Sequence, residues 1–358
     1  LSAEDFSTDE IRFSRLGRAG LATLSRPAAL NALSHGMVKA LAAQLAAWAD
    51  DAAVEHVVIE GSGGKAFSAG GDIRRIYEMG RAQEPGQLDF FADEYRLNTL
   101  IKRYPKPYTA LIDGIVMGGG VGLSVHGRYR VGTEKTLFAM PEVGIGFFPD
   151  VGGTAFLPRC PGGLGTYLAM TGARIGQADA LAAGVLTHTV ARDRLEDLKA
   201  ALAEVADPAG VFDAFASDPG PASLAWHRKV IDHAFAAPSV AAILAALEGE
   251  TGPSAAFAQE AAALIRSKSP TSVMIAFRQV RAGADLDFEA CMRLEFRIVS
   301  RILQGHDFYE GVRAVLVDKD NKPVWRPASL SEVDPVDIDA HFVAPEGGDL
   351  EIPSPPGA

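Results

Sequence analysis

The run Tyr108-Thr-Ala-Leu-Ile-Asp-Gly-Ile-Val116, followed at once by Met117-Gly-Gly-Gly-Val-Gly122, carries the plan of the fold. Its first part is apolar and partly β-branched, as a buried strand requires. Its second part opens on three glycines, which free backbone N–H groups to meet negative charge if a helix begins there. Close packing of a helix on a sheet is the other use of such glycines, and the run alone does not separate the two. The spacing does not fit the GxGxxG dinucleotide fingerprint. Ala19-Gly-Leu-Ala-Thr-Leu24 and His56-Val-Val-Ile-Glu60 read as two earlier buried strands. Between them, Ser34 to Asp50 places Met37, Leu41, Leu45 and Trp48 at helical spacing, with Ser34 as the N-cap. A further helix is expected from Leu88 to Tyr104. Strand, helix, strand, helix, strand is the order of an α/β fold with crossover helices.

Beyond residue 150 the texture changes. Gly162 to Thr171 and Gln177 to Ala183 read as short helices. From Leu195 to about Leu303 the chain is Ala-rich and mostly helical, with breaks near Asp207-Pro-Ala-Gly, Asp218-Pro-Gly-Pro and Thr251-Gly-Pro-Ser. The expected organisation is therefore a core over residues 1–190, a helical C-terminal region over 191–330, and an extended, Pro- and Gly-rich tail over 331–358 that wraps the surface or frays.

Bulk composition narrows the function. The 358 residues are 48% hydrophobic and 22% charged, which suits a globular protein with a sizeable core. A formal net charge of −11 argues against a general nucleic-acid partner, which needs a basic surface. Cys160 and Cys291 lie far apart, so no disulfide framework is implied and a reducing compartment fits. The histidines form no HExxH or HxxxH pair, so no metal site is expected. No apolar run is long enough to span a membrane. The start, Leu1-Ser-Ala-Glu-Asp-Phe6, resembles neither a signal peptide nor a transit peptide.

Two further stretches carry chemistry. In Lys65-Ala-Phe-Ser-Ala-Gly-Gly-Asp-Ile-Arg74, small residues follow a strand and let the backbone approach a ligand. The Gly71 N–H can face an oxyanion, or the turn can simply be capped by Asp72. Ala66-Phe-Ser-Ala-Gly70 lacks the first glycine of the GxSxG elbow, and no Asp-then-His order follows, so Ser68 is set aside as a nucleophile. Gly61-Ser-Gly-Gly-Lys65 likewise fails as a P-loop. In Met140-Pro-Glu-Val-Gly-Ile-Gly-Phe-Phe-Pro-Asp-Val-Gly-Gly153, Glu142 and Asp150 flank Phe147 and Phe148. A carboxylate buried there costs several kcal/mol unless paired or used. Two such acids near each other raise at least one pKa, which is how a carboxyl serves as an acid near neutral pH.

Taken together, the 65–74, 110–124 and 138–153 stretches resemble the crotonase, or enoyl-CoA hydratase/isomerase, superfamily. The core likeness runs from residue 10 to 190. The resemblance implies an α/β fold with a crotonase-like ββα spiral core and a C-terminal helical region. It implies that the backbone N–H groups of Gly71 and Gly119 hold the thioester oxygen of an acyl-CoA. Ala69 and Ile73 would pass the adenine end of CoA. Hydratases of the family use two glutamates; one matches Glu142, and the other position is Gly122 here. Asp150 stands where hydratases usually carry glycine. This pattern is similar to the 3-hydroxyisobutyryl-CoA hydrolase branch. Leu123-Ser-Val-His-Gly-Arg-Tyr-Arg130, the run from Gly305-His-Asp-Phe-Tyr-Glu to Asp320, and Pro323-Val-Trp-Arg-Pro327 extend the likeness to residue 330. Glu94 matches another acid near the substrate in that branch, although periodicity alone makes it an exposed helix residue.

The expected reaction is hydrolysis of a short 3-hydroxyacyl-CoA, as in valine breakdown, with 3-hydroxypropionyl-CoA as a close substitute. Glu142 activates water or attacks the carbonyl to form a mixed anhydride. Asp150 binds the 3-hydroxyl or handles the proton of the leaving thiolate. No cofactor is required, because coenzyme A arrives as part of the substrate. Expected partners are the acyl-CoA alone, with no nucleic acid and no membrane; a homo-oligomer is left open. The compartment would be the cytoplasm in a bacterium or the mitochondrial matrix in a eukaryote. The alternatives are an enoyl-CoA hydratase or isomerase using Glu142 alone, and a non-catalytic acyl-CoA-binding protein.

Overall fold

The computed structural model describes residues 6–353. Residues 1–5 and 354–358, which hold most of the acidic start and the Pro-rich end discussed above, lie outside them. A six-stranded sheet runs β1 (Ile11–Leu16), β2 (Ala19–Leu24), β3 (His56–Gly61), β5 (Tyr108–Ile112), β7 (Tyr129–Gly132) and β10 (His188–Thr189) in spatial order. A four-stranded sheet runs β4 (Ala66–Ser68), β6 (Ile115–Met117), β8 (Leu137–Ala139) and β9 (Ile175–Gly176). The β1–β2 hairpin is antiparallel, and every later pairing in the first sheet is parallel. Parallel neighbours need crossovers, and helices supply them. Helix α1 (His35–Asp50) links β2 to β3, with the Ser34 hydroxyl accepting from Met37 N at 3.2 Å. Helices α2 (Ile73–Arg81) and α3 (Gln87–Lys102) follow β4, and α4 (Gly119–Ser124) follows β6.

The stretch from Tyr108 to Val116, read above as one strand, is two. β5 ends at Ile112 in the first sheet and β6 starts at Ile115 in the second. Gly114 makes the break with φ of 91°, and a Cβ there would run into the Lys65 carbonyl. The bend passes the chain between sheets and aims α4 into the space between them.

After β10 the elements are helical apart from an isolated bridge between Val190 and Ala216. Breaks at Asp207, Asp218 and Thr251 all fall between helices. The tail differs from the extended chain expected from 331. It holds a helix, Pro335–Ala340, whose N-cap Asp334 accepts from Val336 N at 2.8 Å. An aspartate followed by proline is a helix start, and that local signal outweighs the Pro-rich composition around it. Arg297 then pins the tail through both oxygens of Asp349, at 2.7 and 2.6 Å. Among the described residues no helix is long and apolar enough to cross a membrane. The larger of two hydrophobic clusters among the described residues runs from the β1–β2 hairpin through α1 and α3 to the C-terminal helices, and the smaller joins Val58, Leu111 and Val131 to Leu198, Leu202 and Phe212.

Candidate active site

Two backbone N–H groups converge between the sheets. Leu33 bridges to the 65–74 turn through Leu33 N to Gly70 O and Asp72 N to Leu33 O, at 2.8 and 2.9 Å. Those bonds use the neighbours of Gly71 and leave its own N–H outside the ladder. Gly119 is the first residue of α4, so its N–H belongs to the turn that has no intrahelical acceptor. The two approach closely: a Cβ on Gly119 would sit 3.2 Å from Gly71 N and would overlap Glu94 Oε1. Only glycine leaves that space open. Asp72 meanwhile caps α2, accepting from Arg75 N at 3.3 Å, and that cap does not use the Gly71 N–H. Ser68 is committed elsewhere: its hydroxyl donates to Asn31 O at 2.8 Å in a fully buried position. Ala69 and Ile73 flank Gly71 at half-buried positions.

Around this point lie four buried carboxyls. Glu142 starts a single 3-10 turn, Glu142–Ile145, after β8 and Pro141. Its Oε1 lies 3.2 Å from where a Gly118 Cβ would stand, and its Oε2 has no hydrogen-bond partner. Burial, then the Asp150 charge, push its pKa well above the usual carboxylate range. Asp150 accepts from the Tyr95 phenol at 2.9 Å. Burial pushes it up to about 7, with that phenol and a backbone N–H pulling the other way. Glu94 is 2% exposed, not the exposed helix residue that periodicity gave. Its Oε1 is unpartnered, and burial together with Asp150, Glu295 and Glu142 raises it strongly.

Glu295 is the acid that the sequence reading missed. It lies in the helix Phe288–Ile302, is fully buried, and accepts from Gly152 N and Thr154 N, both at 2.8 Å. Those two N–H groups stand two and four residues after Asp150, so Glu295 fixes the loop that carries it. Burial, then Asp150, push Glu295 up to about 8. A signal existed for both missed burials. Glu295 sits within Cys291, Met292, Ile298, Val299 and Ile302 at helical spacing, and Glu94 sits within Phe90, Phe91, Leu97 and Ile101. An acid inside an apolar stripe is buried with the stripe.

The two outlying motifs turn out to be supports. His126 holds the loop of Asp150: burial lowers it to about 4, so it is neutral, and its Nε2–H donates to Val151 O at 2.7 Å. Phe288 packs edge-on against the His126 ring with centroids 4.8 Å apart. Asp307, from the Gly305–Asp320 run, accepts from the Ser269 hydroxyl at 2.6 Å, while Ser269 N donates to Val143 O at 3.2 Å. Phe147 stacks on Phe91 and touches Phe148 and Phe308, so the segment between Glu142 and Asp150 is anchored in an aromatic cluster. Gly122 closes the inner end: a Cβ there would lie 2.7 Å from both Asn98 Nδ2 and Val151 Cβ.

The acids set a pH dependence of stability. A carboxyl whose folded pKa is raised makes folding favour the protonated form. Its contribution is whole below the unfolded value, near 4.5 or 3.8, and is lost as pH rises through the folded value. For Asp150 and Glu295 that window closes at about 7 and about 8. The melting temperature is therefore expected to fall as pH rises from about 5 to about 9, and to fall less in Glu295→Gln. Thermal melts at constant ionic strength check this; an equal slope in the variant would remove Glu295 from the account.

The enoyl-CoA hydratase/isomerase family model matches residues 19–342. A mitochondrial 3-hydroxyisobutyryl-CoA hydrolase of Danio rerio is 44% identical over 353 residues, covering 96% of this chain and 92% of that protein. The protein of the same description in Homo sapiens is 41% identical, covering 98% and 93%. Among solved structures, a carnitinyl-CoA dehydratase from Mycobacterium thermoresistibile has a TM-score of 0.90 and 43% identity, covering 95% of this chain and 98% of that one. An enoyl-CoA hydratase from Rhodobacter sphaeroides has a TM-score of 0.88 and 37% identity, covering 96% and 100%.

Proposed function

The chain belongs to the enoyl-CoA hydratase/isomerase family, and we propose that it hydrolyses the thioester of a short 3-hydroxyacyl-CoA, 3-hydroxyisobutyryl-CoA foremost. The observation that carries this reading is the pairing of Glu142 and Asp150 beside two free N–H groups, with no second glutamate at Gly122. In this reading the thioester oxygen lies between Gly71 N–H and Gly119 N–H. Charge growing on it in the tetrahedral intermediate is stabilised by dipoles already in place, worth roughly 3–4 kcal/mol per donor. Glu142 supplies the electron pair that drives attack on the carbonyl carbon, through water or directly. The C–S bond then breaks, and Asp150, steadied by Tyr95, passes its proton to the departing sulfur. Coenzyme A is part of the substrate, and no other cofactor enters the scheme. In a single turnover in ¹⁸O water, label in the Glu142 carboxyl is expected from direct attack with the anhydride opened at the glutamyl carbon. Label in the product acid alone fits activated water or an anhydride opened at the acyl carbon, which trapping of the anhydride by hydroxylamine then separates.

The names of the similar solved structures raise hydration or dehydration as a second reading. That chemistry uses a second carboxylate on α4 in the family's hydratases. The space such a side chain needs is filled by Asn98 and Val151. Purified protein given 3-hydroxyisobutyryl-CoA is expected to release free thiol quickly, and to leave the conjugated chromophore of crotonyl-CoA untouched. Loss of that chromophore without thiol would favour the hydratase reading. Gly122→Glu is expected to unfold or disorder the loop instead of creating a hydratase.

The relatives of animal origin are described as mitochondrial, and we extend to this chain only a reducing compartment, in keeping with its two buried free cysteines. Assembly into trimers or larger rings through C-terminal helices is part of the same proposal, tested by the molar mass in solution.

A further inference from the structure

Asn98 is fully buried in α3, yet neither its Oδ1 nor its Nδ2 has a partner among the described residues. A buried amide left unpaired on both atoms is costly and rare, so it calls for a partner that the chain itself does not supply. Its placement says what that is. Asn98 stands four residues from Glu94, so the two side chains lie on one face of α3, one above the other. On α4 the matching residues are Gly119 and Gly122: Glu94 Oε1 closes on Gly119, and the Asn98 amide closes on Gly122. The two pairs form successive rungs of one helix–helix contact. The first rung is the oxyanion site. The second lies about one helical turn, ~5 Å, further in, beside Val151 and hence beside the backbone of Asp150.

In the proposed pose, the acyl group has its carbonyl oxygen on the first rung and runs along α4, so that its third carbon lies toward the second. We propose that Asn98 is the residue that reads the 3-hydroxyl of the substrate. A hydroxyl donates one hydrogen bond and accepts others, and a carboxamide offers one acceptor and two donors side by side. The orphaned Oδ1 takes the hydroxyl proton, and the orphaned Nδ2–H gives to the hydroxyl oxygen. Of the raised carboxyls nearby, Asp150 is held by the Tyr95 phenol and Glu295 by the Gly152 and Thr154 N–H groups, whereas the amide of Asn98 keeps donor and acceptor both unpartnered. An acyl chain lacking the hydroxyl leaves both amide atoms unpaired again, and a site built in that way discriminates strongly. The inference rests on the hydrolase reading and adds to it the origin of selectivity.

The test compares kcat/KM for 3-hydroxyisobutyryl-CoA and isobutyryl-CoA, which differ only in the hydroxyl. In the parent enzyme the ratio is expected to favour the hydroxylated ester by at least about a hundredfold. In Asn98→Leu, close in volume but apolar, the ratio is expected to fall at least about tenfold. The melting temperature of that variant is expected to hold or rise, because an unpaired polar group has been replaced by an apolar one. A structurally required asparagine would instead lower it. Should Asn98→Leu not fold, Asn98→Ala is read by the same ratio. A ratio unchanged by the substitution, or near one in the parent, overturns the assignment while leaving hydrolysis intact. Absence of thiol release from either ester in the parent overturns the hydrolase reading itself.

Discussion

Glu142→Gln is expected to lower kcat for thiol release by about 10³–10⁴-fold while KM moves only a few-fold. The substitution keeps the shape of the side chain and its place at the start of the 3-10 turn, so the fold around it is preserved. It removes the electron pair that either route of attack needs. The KM should hold because the oxyanion N–H groups of Gly71 and Gly119 come from backbone that the substitution does not touch. The variant should also melt at a higher temperature, since one member of a mutually repelling buried set is gone. Steady-state thiol release with matched melting curves reads both effects. If the glutamine variant kept more than about a tenth of the parent kcat, another group would have to be the base.

Asp150→Asn is expected to lower kcat by about 10²–10³-fold, with a signature of its own. Asparagine still accepts from the Tyr95 phenol but holds no acidic proton for the departing sulfur. The deficit should therefore shrink when the leaving thiol is itself acidic. With a nitrothiophenyl ester of the same acyl group, the ratio of parent to Asp150→Asn is expected to approach one, whereas the ratio for Glu142→Gln stays large. A deficit that does not depend on the leaving group would move Asp150 from proton transfer to substrate binding.

The sequence made the catalytic candidates legible because they lie in short runs where glycine and proline leave few alternatives. The helix from Ser34 and the strands at Ala19 and His56 were readable because periodicity and caps agree there. For Glu94, periodicity alone reads an exposed helix residue, whereas the resemblance puts it near the substrate; the structure buries it. The stripe formed by Phe90, Phe91, Leu97 and Ile101 already placed it inside. The split between β5 and β6 was hidden because Asp113-Gly114 interrupts an otherwise continuous apolar run by only two residues. Glu295 could be read as buried but not as belonging to this site. Its partners, Gly152 N and Thr154 N, lie 143 and 141 residues earlier, and no local pattern reports a contact of that span. The same holds for Asn98, whose meaning depends on which glycine of α4 it faces.

The grip of Glu295 on the Asp150 loop also bears on how the protein comes into being. Chains emerge from the ribosome N-terminus first, and domains fold as they emerge. Glu142, Asp150, Gly71 and Gly119 all lie in the first half of this chain, and Glu295 in its last fifth. A growing polypeptide thus carries its reactive acids long before it carries the residue that locks their loop. In the proposed reading, competence waits for the Phe288–Ile302 helix, so a chain ended before it carries the motifs without the residue that fixes their loop. Messages cut short upstream of the Phe288–Ile302 helix should therefore be as silent as a deletion of the whole gene.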